Sequence, residues 1–149
     1  MVKLQLPQDF KDFLRLLNSH KVQYLLIGGY AVGYHGYPRA TGDMDIWIAM
    51  HPQNATKMVE VLKNFGFNVP ELSVDMFLKK GHVIRMGYSP IRIEILTTIS
   101  GVTFNECFAT RIIDRIDDIE INLISLENLK KNKKACNRHK DLDDLQNLP

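Results

Sequence analysis

The chain has 149 residues, enough for one domain that buries about two-thirds of its unfolded surface. With 45% hydrophobic and 24% charged residues it has the composition of a globular protein rather than a disordered one, and a formal charge of +2 is too small to signal nucleic-acid binding by itself. The opening MVKLQLPQDF lacks the apolar core of a secretion signal, and no run approaches the ~18 apolar residues of a membrane span. A cytoplasmic protein that does not engage membranes is expected, with Cys107 and Cys136 as reduced thiols, since no CxxC spacing marks a disulfide or metal pair.

Pro7 to Val22 carries Phe10, Phe13, Leu14 and Leu17 at helical spacing, with Leu16 at the margin and Pro7 suited to a first turn. Val22 to Ile27 is a short apolar run stopped by Gly28-Gly29, as in a buried strand entering a tight turn. Tyr30 to Gly36 has room for one or two helical turns, closed by Gly36 and Pro38, and Met44 to Ala49 is a second strand. A helix follows, starting near Pro52 or Asn54, with Ala55, Met58, Val59, Leu62 and Phe65 on its apolar face and Gly66 as its stop. HVIRMGY and IRIEILT read as strands joined at Ser89-Pro90, and RIID and EINLIS as a further pair around Asp117-Asp118. Ser125 and Asn128 compete as the N-cap of a C-terminal helix, and KDLDDLQNL forms a last short one. No repeat or linker interrupts this order. The expectation is a single α/β (α+β) domain over residues 1–149, a small mixed sheet flanked by helices.

Asp43 and Asp45 interrupt an apolar run. Residues i and i+2 of a strand share a face, so the two carboxylates lie roughly 6–7 Å apart and raise each other's pKa unless a cation lies between them. Hard divalent cations such as Mg²⁺ are held by one or two carboxylates together with substrate phosphates. Two solvated acids at a sheet edge are the alternative, which the neighbouring Ile46, Trp47 and Ile48 weaken. Gly28-Gly29, between a strand and a helix, lets the backbone approach a phosphate closely. The stretch is neither GxGxxG nor a Walker loop, and in isolation a structural tight turn is its more frequent explanation. Combined with the aspartates it reads as half of a nucleoside triphosphate site.

IGGYAVGYHGYPRATGDMDIWI resembles the opening motif of the DNA polymerase β-like nucleotidyltransferase superfamily: an apolar residue, Gly, Gly or Ser, a short helix, then Asp-apolar-Asp/Glu-apolar on the next strand. Thirteen residues separate Gly29 from Asp43. The stretch from His35 to Asp45 is similar to the small bacterial branch related to abortive-infection and toxin-type nucleotidyltransferases. The resemblance implies the minimal nucleotidyltransferase fold, Mg²⁺ or in its place Mn²⁺, and transfer of a nucleoside monophosphate from an NTP to an acceptor hydroxyl. It also implies a third carboxylate on a later strand. Glu94 in RIEIL supplies one, with Glu where Asp is commoner, while strand alternation alone places Glu94 beside Arg92 on an outward face. The implied catalytic and metal set is Asp43, Asp45 and Glu94. The implied nucleotide-binding set is Gly28, Gly29, Arg39, Thr41, Lys133 and Lys134.

Lys130, Lys131, Lys133, Lys134, Arg138, His139 and Lys140 form a basic cluster, and by the same resemblance Lys133, Arg138, Lys140, Asp141 and Asp144 are matching positions. On a helix Lys130, Lys133 and Lys134 share a face, expected to border the nucleotide cleft; a solvated surface helix is the alternative. Arg39 could reach a triphosphate oxygen or form a structural ion pair, and His35 reads as a turn or packing residue rather than a base. A non-catalytic nucleotide- or RNA-binding relative, or an interaction partner of a toxin–antitoxin pair, are the competing functions. The acceptor is open among RNA, protein and small molecules. So short a chain invites a homodimer or partner subunit to complete the cleft.

Overall fold

Alternation in the strand β2 (Asp43–Ile48) sets the architecture: Met44, Ile46 and Ile48 are fully buried on one face, while Asp43, Asp45 and Trp47 project from the other. The computed structural model describes residues 4–39, 41–88 and 91–149. Beside β2 runs β1 (Tyr24–Ile27), buried throughout and antiparallel to it, with Tyr24 opposite Ile48 and Ile27 opposite Asp45. On its other side lies β4 (Ile91–Leu96), parallel to β2, so that Arg92 stands opposite Asp43 and Glu94 opposite Asp45. The edge strand β3 (Val83–Tyr88) pairs antiparallel with β4. Beyond β1 come β6 (Ile119–Leu123), parallel to it, and β5 (Ile112–Ile116), antiparallel to β6. The sheet is mixed, in the order β3-β4-β2-β1-β6-β5. The expected Ser89-Pro90 turn lies outside the described residues.

Helix α1 (Gln8–Ser19) buries Phe10, Phe13, Leu14 and Leu17, the periodic face of the sequence. It is shorter than Pro7 to Val22: Pro7 is the N-cap, and at the far end Lys21 takes φ +56° while the Val22 amide turns back to donate to the Leu17 carbonyl at 3.0 Å. Helix α2 (Gly28–Tyr34) starts at the glycine pair itself, two residues earlier than the expected Tyr30. Helix α3 (Pro52–Phe65) has Pro52 at its first position, His51 as N-cap accepting from the Asn54 amide at 3.3 Å, and Gly66 in the left-handed conformation as its stop. Asn54 is fully buried and brackets the sheet: its Nδ2 donates to the Ala49 carbonyl at 2.8 Å and its Oδ1 accepts from the Gln23 amide at 2.8 Å.

A 3₁₀ turn, Val74–Phe77, buries Phe77 in the segment with no legible motif. Helix α4 (Phe104–Ala109) was not expected, six residues being too few to show a period. Its Phe104 meets Trp47 edge to face at 5.1 Å, which puts α4 on the same side of β2 as Asp43 and Asp45. Helix α5 (Leu126–Cys136) is capped by Ser125, which accepts from the Asn128 amide at 3.2 Å; Asn128 therefore sits inside the helix. Helix α6 (His139–Asn147) ends the fold, and one continuous apolar cluster joins the layers. Among the described residues no helix is long and apolar enough to cross a membrane.

Candidate active site

The β1–α2 turn is possible only with glycine. Gly28 has φ +69°, and a Cβ there would overlap the Asp45 carboxylate. A Cβ at Gly29 would come within 2.6 Å of the Thr41 hydroxyl, which itself donates to the Asp43 carbonyl at 3.3 Å. Bare backbone thus lies directly against the carboxylate strand. A cleft of about 290 Å³ opens here, lined by Gly28, Gly29, Arg39, Thr41, Asp43 and Asp45. The segment after β4 (Thr98, Ile99 and Ser100) and the α5–α6 region (Asn132, Lys133, Cys136, Arg138 and Lys140) complete its walls.

The carboxylate wall is strained. Asp45 Oδ1 is buried without a hydrogen-bond partner. Burial first, then the charge and hydrogen bond of Glu94 and the charge of Asp43, push the Asp45 carboxyl up to about 7, against the opposing charge of Lys140. Asp43 is held differently. The Arg92 guanidinium grips it as a fork, Nη2 donating to Oδ2 at 2.8 Å and Nε to Oδ1 at 3.2 Å. Glu94 accepts from Arg85 Nε at 3.1 Å and lies 3.6 Å from Arg92 Nη2.

The opposite wall is a closed ionic network. Asp144 receives Arg39 Nε and Nη2 at 2.8 and 2.9 Å and Lys133 Nζ at 3.0 Å. Asp141 receives Lys133 Nζ at 3.2 Å and Arg138 Nε at 2.7 Å. Burial by itself would raise both carboxyls, but the hydrogen bonds from these cations outweigh it and hold each below the usual range. Three cations share two carboxylates, so the network keeps an excess positive charge at the cleft, to which Lys140 adds.

The expected site residues therefore divide. Gly28, Gly29, Arg39, Thr41, Asp43, Asp45 and Lys133 line one cleft. Glu94 lies beside Asp45 on the same face of the sheet, through the β2–β4 register, without lining the cleft itself. Lys134 does not line it either: it is exposed, whereas Lys133 is buried and Lys130 donates to the Pro149 carbonyl, so the lysine face expected at the cleft is split three ways. Arg39 is in an ion pair, which leaves Nη1 outside its bonds to Asp144. His35 donates from Nε2 to the Ile124 carbonyl at 2.8 Å and packs on Tyr34, a structural role. Both cysteines are free thiols, Cys107 buried and Cys136 at the cleft. The part of Arg92 went unread in the sequence beyond its sharing a face with Glu94; its basic side chain at i−2 from an acid on a strand was the available signal.

Among the described residues, no three His, Cys, Asp or Glu side chains are gathered as a ready metal-ligand set. Arg92 and Arg85 instead hold Asp43 and Glu94 in ion pairs. The donors that remain still suit a hard divalent cation: two cleft carboxylates, one with an orphaned oxygen, beside a cationic wall able to bring phosphate oxygens as further ligands.

No protein-family model matches the chain, and no curated protein is detectably similar to it in sequence. Solved structures are similar in fold. A protein from Thermotoga maritima, described as a candidate nucleotidyltransferase, superposes with a TM-score of 0.61 at 16% identity, covering 92% of this chain and 88% of that one. The lincosamide antibiotic adenylyltransferase LnuA, in its lincomycin-bound form, gives a TM-score of 0.57 at 17% identity over 95% of each chain. An antigenic nucleotidyltransferase-like protein from Paracoccidioides brasiliensis gives 0.56 at 18% identity, over 92% of this chain and 72% of that one. The mixed α/β architecture is that of the nucleotidyltransferase fold.

Proposed function

We propose that the chain is a nucleotidyltransferase that moves a nucleoside monophosphate from an NTP to an acceptor hydroxyl. One observation carries this: the glycine turn, the aspartate pair and a cationic wall share a single cleft on a nucleotidyltransferase fold. Asp43 and Asp45 would hold Mg²⁺, or Mn²⁺ in its place. The bound metal would polarise the α-phosphate and offset charge on the leaving group. Gly28-Gly29 admits the phosphates to backbone contact, and Lys140, Arg138 and the N–H groups of Arg39 and Lys133 not engaged by aspartate bind their oxygens. The acceptor oxygen forms a bond to the α-phosphorus as the bond to the β-phosphate oxygen breaks, pyrophosphate leaves, and the acceptor's proton passes by way of one water to Glu94 beside Asp45. The acceptor class stays open among RNA, protein and small molecules, as does a partner subunit.

A second reading, a nucleotide-binding protein without catalysis, is favoured by the arginine hold on Asp43 and Glu94. Thermal melts with ATP, CTP, GTP and UTP plus Mg²⁺ test both. One of them is expected to stabilise the protein, by about 2.7 kcal/mol at a hundredfold excess over Kd, with the Mg²⁺-dependent part lost in Asp45→Ala. Pyrophosphate release then distinguishes enzyme from binder, and four unmoved melting curves would reject both.

A further inference from the structure

Three acidic side chains on neighbouring strands repel one another, and the fold answers with arginine. The parallel β2–β4 register puts Arg92 directly across from Asp43. Its fork takes both Asp43 oxygens, at 2.8 and 3.2 Å, and the same Nη2 lies 3.6 Å from Glu94 Oε1. A divalent cation in the cleft competes for those Asp43 oxygens, because the fork occupies a lone pair on each of them and its positive charge repels a second cation at close range. The Arg92 side chain is 36% exposed, so it has solvent to swing into. Arg85 is the useful contrast: it stands on the edge strand, 59% exposed, and bonds Glu94 without bonding Asp43.

Resting on the metal-dependent reading above, we propose that Arg92 is a resident counter-cation on Asp43, which divalent metal must displace. The metal-free cleft is thereby kept intact without a bound ion. Its affinity for metal alone is lowered, so that metal enters best together with the triphosphate, whose charge adds to the attraction.

The test uses the full chain and two probes. Mn²⁺ binding without nucleotide is measured by electron paramagnetic resonance for wild type, Arg92→Gln, Arg92→Lys, Arg85→Gln and Asp43→Asn. Arg92→Gln is expected to bind Mn²⁺ about tenfold more tightly than wild type, the equivalent of losing one charge-assisted fork. Arg85→Gln, which removes the same charge, should gain much less. Arg92→Lys, which retains charge without the fork, should fall between and covers the case of a poorly folding Gln variant. Independently, Mg²⁺ added to wild type should shift the Arg92 ¹⁵Nε resonance and speed exchange of its N–H with water. Equal gains in Arg92→Gln and Arg85→Gln would mean a general charge effect and overturn the displacement. So would an unmoved Arg92 resonance while Asp43→Asn still loses Mn²⁺, and that result leaves the metal-dependent function standing. Absence of Mn²⁺ binding in every variant, Arg92→Gln included, overturns this proposal, while the triphosphate melts described above decide the metal-dependent function by themselves.

Discussion

The two walls of the cleft handle buried charge in opposite ways. On the α5–α6 side Asp141, Asp144 and Lys133 are at most 5% exposed and each is paired, with Arg39 and Arg138 closing the network. On the strand side Asp45 keeps an orphaned oxygen and an upward-shifted pKa, beside acids of the same sign. Buried charges that serve only architecture are normally satisfied, because an unpaired one costs several kcal/mol. The first wall is consistent with that rule and anchors the C-terminal helix. The second breaks it, which is the pattern expected where a cation is to arrive.

Removing a partner from the paired wall should have the largest effect. Asp144→Asn leaves Arg39 and Lys133 sharing too little negative charge, and a loss of about 3–5 kcal/mol in denaturant unfolding is expected. Because Asp141 and Asp144 titrate below the usual carboxylate range, their contribution is full above about pH 4 and disappears as pH falls through their folded values, so wild type and variant should converge in acid. A variant as stable as wild type at pH 7 would erase the contrast between the walls.

On the strained wall the sign reverses. The folded-state pKa of Asp45 is raised to about 7, so ionising it costs stability as pH rises from about 4 to above 7. Without metal, Asp45→Asn should therefore be more stable than wild type at pH 8, by on the order of 2–4 kcal/mol, with the advantage gone near pH 4. Adding Mg²⁺ and a triphosphate should reverse the order of the melting temperatures. A variant that is destabilised at pH 8 would show Asp45 to be structurally satisfied after all.

The smallest effect sharpens the boundary of the cationic wall. Lys134 is exposed and outside the cleft, so Lys134→Ala should change stability by less than about 0.5 kcal/mol and leave the salt dependence of triphosphate binding as it is. Lys133→Met should flatten that dependence. A flatter slope for Lys134→Ala, measured by the same titration series, would extend the wall along the outer face of α5.

Local sequence determined what depends on neighbours along the chain. The periodic face of α1, the αL stop at Gly66, the strand carrying Asp43 and Asp45 on one face, and the glycine pair that ends β1 were all legible because period, capping and φ preference act within a few residues. Boundaries slipped where a non-glycine residue took the left-handed turn, as Lys21 does before Val22, or where a short helix such as α4 draws its support from Trp47. Tertiary structure alone decided the partners. Strand register set Arg92 on Asp43 and Glu94 on Asp45, and the packing of α6 made Asp141 and Asp144, left in the sequence between matching site positions and a solvated helix face, the buried anchors of Lys133 and Arg39. A sequence states which side chains carry charge, but the energy of each charge depends on what lies within a few ångströms in space, and here those neighbours come from residues up to 105 positions away.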